Sequence, residues 1–245
     1  MSSGMRIIVA ESEQKFNLRA ASLVVETIES LEKPLVTFPT GMTPRGMYRA
    51  LVAEYRDRPQ WRTLRFVGLD EYAGLPPDDP RLFSLWVAKE CLDPLSVPLE
   101  NRMRFASDAP DADVEARQMN EWLLANGPLD LAVVGIGSNG HIAFNEPGTA
   151  FESGVHTLEL TQESIRSNAR YWGGEDQVPR RGITLGLSNL AAARHTIVLA
   201  SGAGKSDILA RALTGPVTVD VPASYLQTIS NVTILADKAA AQYII

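Results

Sequence analysis

Apolar residues in this chain fall into short runs, and longer stretches of helical spacing separate them. The runs are RIIVA (6–10), PLVTF (34–38), LRFVGLD (64–70), RMRF (102–105), LDLAVVG (129–135), ITLG (183–186), HTIVLAS (195–201) and VTILAD (232–237). Each is short and rich in β-branched or aromatic residues, which predicts a buried strand. Residues 12–30 carry Phe16, Leu18, Ala21, Leu23, Val24 and Ile28 at helical spacing, and residues 43–56 place Met47, Leu51 and Tyr55 four apart on one face. Helices are predicted also at 79–92, at 111–127 with Gly127 as the stop, near Asn189–Ala193 and at 205–215. Strands separated by helices need crossover connections. The expectation is therefore an α/β fold: an open, mainly parallel sheet with helices on both faces, a Rossmann-like three-layer sandwich. The Pro/Gly-rich stretch at 74–80 reads as a loop, and no repeat or linker interrupts the chain, so one domain over 1–245 is expected.

Composition narrows the partners. Lys and Arg number 23 against 29 Asp and Glu, a net charge of −6, so there is no basic surplus to attract nucleic acid or an anionic membrane. No apolar run approaches the ~18 residues of a membrane span, and the apolar run near the start is too short for a signal peptide. The one cysteine, Cys91, allows no disulfide framework. Together these lead to the expectation of a cytoplasmic protein acting on a small molecule. The three histidines, His141, His156 and His195, lack ligand spacing, so no metal is expected.

In open parallel sheets ligands bind beyond the carboxyl ends of the strands, so the strand ends are where chemistry is expected. The second ends in PTGMTPRG, where Thr40, Gly41 and Thr43 precede a helix with Pro44 in its first turn and Thr43 as the expected N-cap. A loop of N–H groups feeding a helix N-terminus suits phosphate. The third ends in LDEYAG, offering Asp70 as a base or, equally, as a cap or solvated turn. The strand 195–201 runs into GAGKSD; Leu199 stands where a Walker loop needs its first glycine, so no nucleotide loop is expected, and Lys205 at a helix start remains for a single phosphate. The fifth run leads into GIGSNGHIAFNEPG. Its three glycines match G-x-G-x-x-G, but Pro147 and Gly148 arrive before any long helix can form, which argues against dinucleotide binding. Beyond the glycines stand His141, Asn145 and Glu146, with Glu146 held extended by the next proline. No G-x-S-x-G marks a hydrolase triad.

PTGMTP, LDEYAGL, GIGSNGHIAFNEPG, NARYW and VPASYLQ together resemble the glucosamine-6-phosphate deaminases (isomerases), relatives of 6-phosphogluconolactonase, over about residues 35–237. The resemblance implies conversion of glucosamine 6-phosphate to fructose 6-phosphate and ammonia, with no cofactor. It implies that Asp70 moves a proton between C2 and C1, that His141 protonates the ring oxygen, and that Glu146 supports His141. It places phosphate on Thr40, Gly41, Thr43, Arg170 and Lys205, with a lid over about 161–180. Asn139 stands where some members carry Asp, able to orient His141 but not to stabilise its cation by charge. DPRLFSLWV lacks the Ser-Tyr pair expected of the family. Galactosamine-6-phosphate deaminase and 6-phosphogluconolactonase are the alternative activities; lactonases typically carry DGHTASLFPG and no D-E-Y. Sugar-phosphate-sensing domains of transcription regulators share the architecture but have no need of Asp70, His141 and Glu146. A homo-oligomer is compatible with the sequence. The hexameric relatives bind an N-acetylated activator through basic residues after N-E-P, but residues 148–165 contain no Lys or Arg, so no such activation is expected.

Overall fold

The computed structural model describes residues 4–244. Seven parallel strands form the central sheet: β1 (Met5–Ala10), β2 (Leu35–Thr37), β3 (Arg65–Val67), β5 (Arg102–Met103), β6 (Leu131–Gly135), β9 (Thr196–Ala200) and β10 (Val232–Asp237), in the order β1-β10-β9-β6-β2-β3-β5. Alternation along the central strands sends side chains to both faces. Val133, Ile197 and Leu199 pack on one side, under α1 (Glu13–Ile28) and α2 (Met42–Tyr55). Ala132, Val134 and Val198 pack on the other, under α4 (Ala112–Asn126) and α7 (Ser206–Thr214). Each fully buried Val, Leu or Ile is worth about 1.5–3 kcal/mol relative to exposure, and this two-sided burial explains why the strands read as unbroken apolar runs. The three-layer architecture is the expected one.

From β2 the chain builds outward through β3 and β5; from β6 it builds the other way through β9 and β10. The switch point lies between the adjacent strands β2 and β6, and the strand-end loops converge there.

Several expectations are corrected. The run 64–70 is not one strand: β3 stops at Val67, and the chain crosses to a second, antiparallel sheet, where β4 (Asp70–Tyr72) pairs with β8 (Arg181–Thr184), itself paired with β7 (His156–Glu159). The run 183–186 thus belongs to this smaller sheet, and β7, half-exposed and weakly apolar, leaves no pattern in the sequence. The predicted helix 79–92 begins only at α3 (Phe83–Val87) and continues as a π-helical turn over Ala88–Leu92. The helix expected near Asn189 is the short α6 (Leu187–Ala191). Thr43 is not an N-cap. The cap is Gly41, at φ +106°, and Thr43 lies inside the first turn with Pro44. Only glycine enters that backbone region freely, so the turn is carried by Gly41 rather than by a threonine hydroxyl.

Candidate active site

A cavity of about 570 Å³ opens at the switch point. Thr40, Gly41 and Thr43 line it from the β2–α2 loop, Asp70 from the start of β4, His141 from the loop after β6, and Lys205 from the loop before α7. Arg170 reaches it from α5 (Gln162–Trp172).

Asp70 and Glu71, adjacent in sequence, have different surroundings. Glu71 is 1% exposed and accepts the backbone N–H groups of Tyr72, Phe83 and Ser84 at 2.9–3.0 Å, capping α3. Burial raises its pKa, and these bonds oppose the rise. Asp70 keeps some surface at the cavity wall. Burial first, and then the neighbouring Glu71, push it up to about 8. The capping role open to either residue thus falls to Glu71, which leaves Asp70 free of structural duty.

His141 sits across the cavity on the glycine loop. A Cβ on Gly137 would lie 2.4 Å from the His141 ring, so only glycine lets the ring fold down over its own loop. Gly137 serves this close approach, and Gly140 serves a turn at φ +89° packed against Val221 and Ile208. The ring Nδ1 faces Glu146 Oε2 at 3.6 Å and, among the described residues, has no hydrogen-bond partner. Glu146 is buried, accepts from Asn139 Nδ2 at 2.9 Å, and accepts from the Ser164 hydroxyl. Burial tends to raise its pKa, but His141, Ser164 and Asn139 outweigh that and bring it to about 2. Asn139 does not reach the ring. Its Oδ1 accepts from the backbone N–H of His141 at 3.1 Å while its amide holds Glu146. It ties the two ends of the loop together, and neither Asn139 nor Glu146 is part of the cavity wall.

The anionic end of a ligand would meet two helix N-termini, those of α2 and α7, and two cations. Lys205 has its pKa lowered by burial; Glu163 opposes the shift and Arg170 adds to it, so the three charges neighbour one another. Glu163 in turn accepts from Ser138 Oγ at 2.6 Å.

The sequence pattern assigns no role to Tyr72, Arg81, Ser164 or Trp172, all of which line the cavity. Tyr72 belongs to the D-E-Y motif, which draws attention only to its carboxylates. Trp172 closes α5, where its apolar character against a polar helix is the available signal. Ser164 and Arg81 give none, because a surface serine or arginine looks the same. The other two histidines bind within the scaffold: His156 Nδ1 to Gly154 O, and His195 between the hydroxyls of Thr27 and Thr233.

Residues 10–235 match the profile of the family described as glucosamine-6-phosphate isomerases/6-phosphogluconolactonase. The chain belongs to this family. It is 35% identical over 237 residues to the glucosamine-6-phosphate deaminase of Geobacillus sp. (strain WCH70), an alignment covering 96% of this chain and 94% of the relative. The solved structure of a monomeric glucosamine-6-phosphate deaminase superposes with a TM-score of 0.94 at 31% identity, covering 98% of this chain and 100% of that one. The 6-phosphogluconolactonase of Trypanosoma brucei superposes with a TM-score of 0.83 at 21% identity, covering both chains in full, and shares the fold. Among the described residues, no helix is long and apolar enough to cross a membrane.

Proposed function

We propose that this chain is a glucosamine-6-phosphate deaminase, converting glucosamine 6-phosphate and water to fructose 6-phosphate and ammonia. The observation that carries the reading is the opposition of two acid–base groups across one cavity: Asp70, a carboxyl with no structural partner, and His141, backed by a buried anion. The curated relatives named as glucosamine-6-phosphate deaminases support it.

In this reading the phosphate lies on Thr40, Gly41, Thr43, Arg170 and Lys205. His141 delivers a proton to the ring oxygen as the C1–O5 bond breaks, the anomeric hydroxyl releases its proton to water, and the open aldehyde forms. Asp70 then takes the proton from C2, O1 takes a proton from the substrate ammonium, and an enolamine results. Asp70 returns its proton to C1, leaving an iminium at C2. Water adds there, and ammonia departs. A carboxyl near 8 is a stronger base than an ordinary aspartate, which suits abstraction from carbon. The substrate's ammonium, arriving beside it, favours the ionised form. Glu146 carries negative charge at all working pH and stabilises the His141 cation, and Asn139 holds both in register.

The chain acts as one domain with a lid over about 161–180, comprising α5 and the 3₁₀ turn Glu175–Gln177. A cytoplasmic location fits a sugar-phosphate substrate. The test is turnover in H₂O of glucosamine 6-phosphate deuterated at C2, followed by NMR. Deuterium should move to C1 of the fructose 6-phosphate, and Asp70→Asn should slow product formation by ~10²–10⁴. Ammonia released with no label at C1 and undiminished by Asp70→Asn would overturn the assignment.

A further inference from the structure

Helix α5 carries Arg170 yet buries only Ser164, Ile165 and Trp172. It spans roughly 16 Å, and a helix of this length has little stability alone. It is therefore held at its two ends. At the first, Ser164 bonds Glu146. At the second, everything rests on Trp172, which is 7% exposed.

Trp172 belongs to a buried cluster with Phe144, Leu160, Ile165 and Val178, and two further groups meet its ring. The Tyr72 ring meets it edge-on, centroids 5.0 Å apart. The Arg81 guanidinium lies over the indole with Cζ 4.1 Å from the centroid. Arg81 is not free to wander. Its Nε and Nη2 donate to the two carboxylate oxygens of Asp79 at 2.9 and 2.6 Å, and its backbone N–H donates to Asp79 Oδ1 at 2.9 Å. Asp79 is itself 9% exposed. The fork thus gives a rigid, planar cation over an aromatic face, the arrangement in which cation–π attraction is strongest. Arg170 is two residues before Trp172, and both Arg81 and Arg170 border the cavity.

We propose that Arg81 is a positioning residue for phosphate recognition: locked by Asp79, it fixes Trp172 and with it the last turn of α5, so that Arg170 points at the cavity. The proposal rests on the reading of Arg170 as a phosphate ligand. Arg81 is not itself the ligand, since Asp79 occupies its fork and offsets its charge.

The test compares Arg81→Ala, Arg81→Lys, Trp172→Ala, Arg170→Ala and the double variant Arg81→Ala/Arg170→Ala. Three quantities are measured: KM and kcat with glucosamine 6-phosphate, binding of inorganic phosphate, and the rate of tryptic cleavage after Arg166 and Arg170. Arg81→Ala and Trp172→Ala should each raise KM and weaken phosphate binding by about 3–30-fold, the range a lost cation–π contact implies. kcat should change far less, and cleavage of α5 should quicken. Arg81→Lys, which keeps the charge and loses the fork, should not restore wild-type behaviour. Arg81→Ala should add nothing to Arg170→Ala, because coupled residues are not additive. Full rescue by lysine would make Arg81 a simple cation and overturn the proposal. So would additive losses with unchanged proteolysis. If the wild-type protein released no ammonia, the assigned activity would fail, while phosphate binding and cleavage would still decide the role of Arg81.

Discussion

Asp70 and Glu146 are both carboxyls in one site, and their surroundings push them in opposite directions, to about 8 and to about 2. The consequences have opposite signs. A carboxyl in an unfolded chain titrates near 4. Folding raises Asp70, so the folded state holds a proton that the unfolded state has released, and stability is lost as pH rises from about 4 through about 8. Asp70→Asn should therefore raise Tm above pH 8 by at least ~2–4 °C, the shift that about 1 kcal/mol produces in a domain of this size, with little change near pH 4. Folding lowers Glu146, so its contribution is fully present above about 4.5 and is lost as pH falls through about 2. Glu146→Gln should destabilise at pH 7, by on the order of 3 kcal/mol. Thermal melts of both variants across pH 4–9 check the pair; the same sign for both would contradict the assigned environments. In activity, Asp70→Asn should lower kcat by ~10²–10⁴, the usual worth of a general base. Because kcat/KM reports the free enzyme, it should fall as pH drops below about 8, the free-site value for Asp70. Asp70, His141 and Glu146 were legible in the sequence as residues standing where packing needs no charge. The split between Asp70 and its neighbour Glu71 was not. Nothing in D-E-Y says which carboxyl caps α3, since Phe83 and Ser84 come close only in the fold.

Among the elements, the central strands were legible because burial on both faces leaves an apolar run that no loop imitates. The smaller sheet was not. The run 64–70 covers β3 and only the first residue of β4, whose D-E-Y carries no apolar pattern, and pairing, with β5 for one and β8 for the other, divides them. β7 pairs through backbone groups and buries too little to leave a pattern. The loop before α2 was located, but its cap was misplaced, because Thr-rich turns advertise hydroxyl caps and Gly41 supplies geometry instead. In the proposed reading α5 and α7 both bring a cation to the phosphate, and each has a prediction. Arg170→Ala, on α5, and Lys205→Ala, before α7, should each cost ~1.5–3 kcal/mol, roughly 10–150-fold in KM for the phosphorylated sugar. Unphosphorylated glucosamine should bind poorly and be indifferent to both changes. An equal loss for both sugars in Lys205→Ala would indicate a folding defect.

For the whole molecule, the net charge of −6 is compatible with an anionic substrate because Arg170 and Lys205 neighbour one another at the cavity. The acidic balance elsewhere bears on regulation. Residues 148–165 carry Glu152, Glu159 and Glu163 and no Lys or Arg, and the structure engages Glu163 with Ser138 beside the cavity. An activator would have to bind two states of the protein with different affinity, and this segment presents an N-acetylated sugar phosphate with like charge. Rates should be hyperbolic in substrate, and N-acetylglucosamine 6-phosphate should leave half-saturation unchanged or raise it slightly by competition. A sigmoidal curve straightened by that compound would refute the expectation. The central claim, that the cavity is built for deamination of an aminosugar phosphate, is tested most directly by kcat/KM for glucosamine 6-phosphate, galactosamine 6-phosphate and 6-phosphogluconolactone on one preparation, with ammonia and lactone opening followed in parallel. The account predicts the highest value for glucosamine 6-phosphate, with ammonia and fructose 6-phosphate formed in equal amounts. Turnover of the lactone without ammonia from either aminosugar would contradict it.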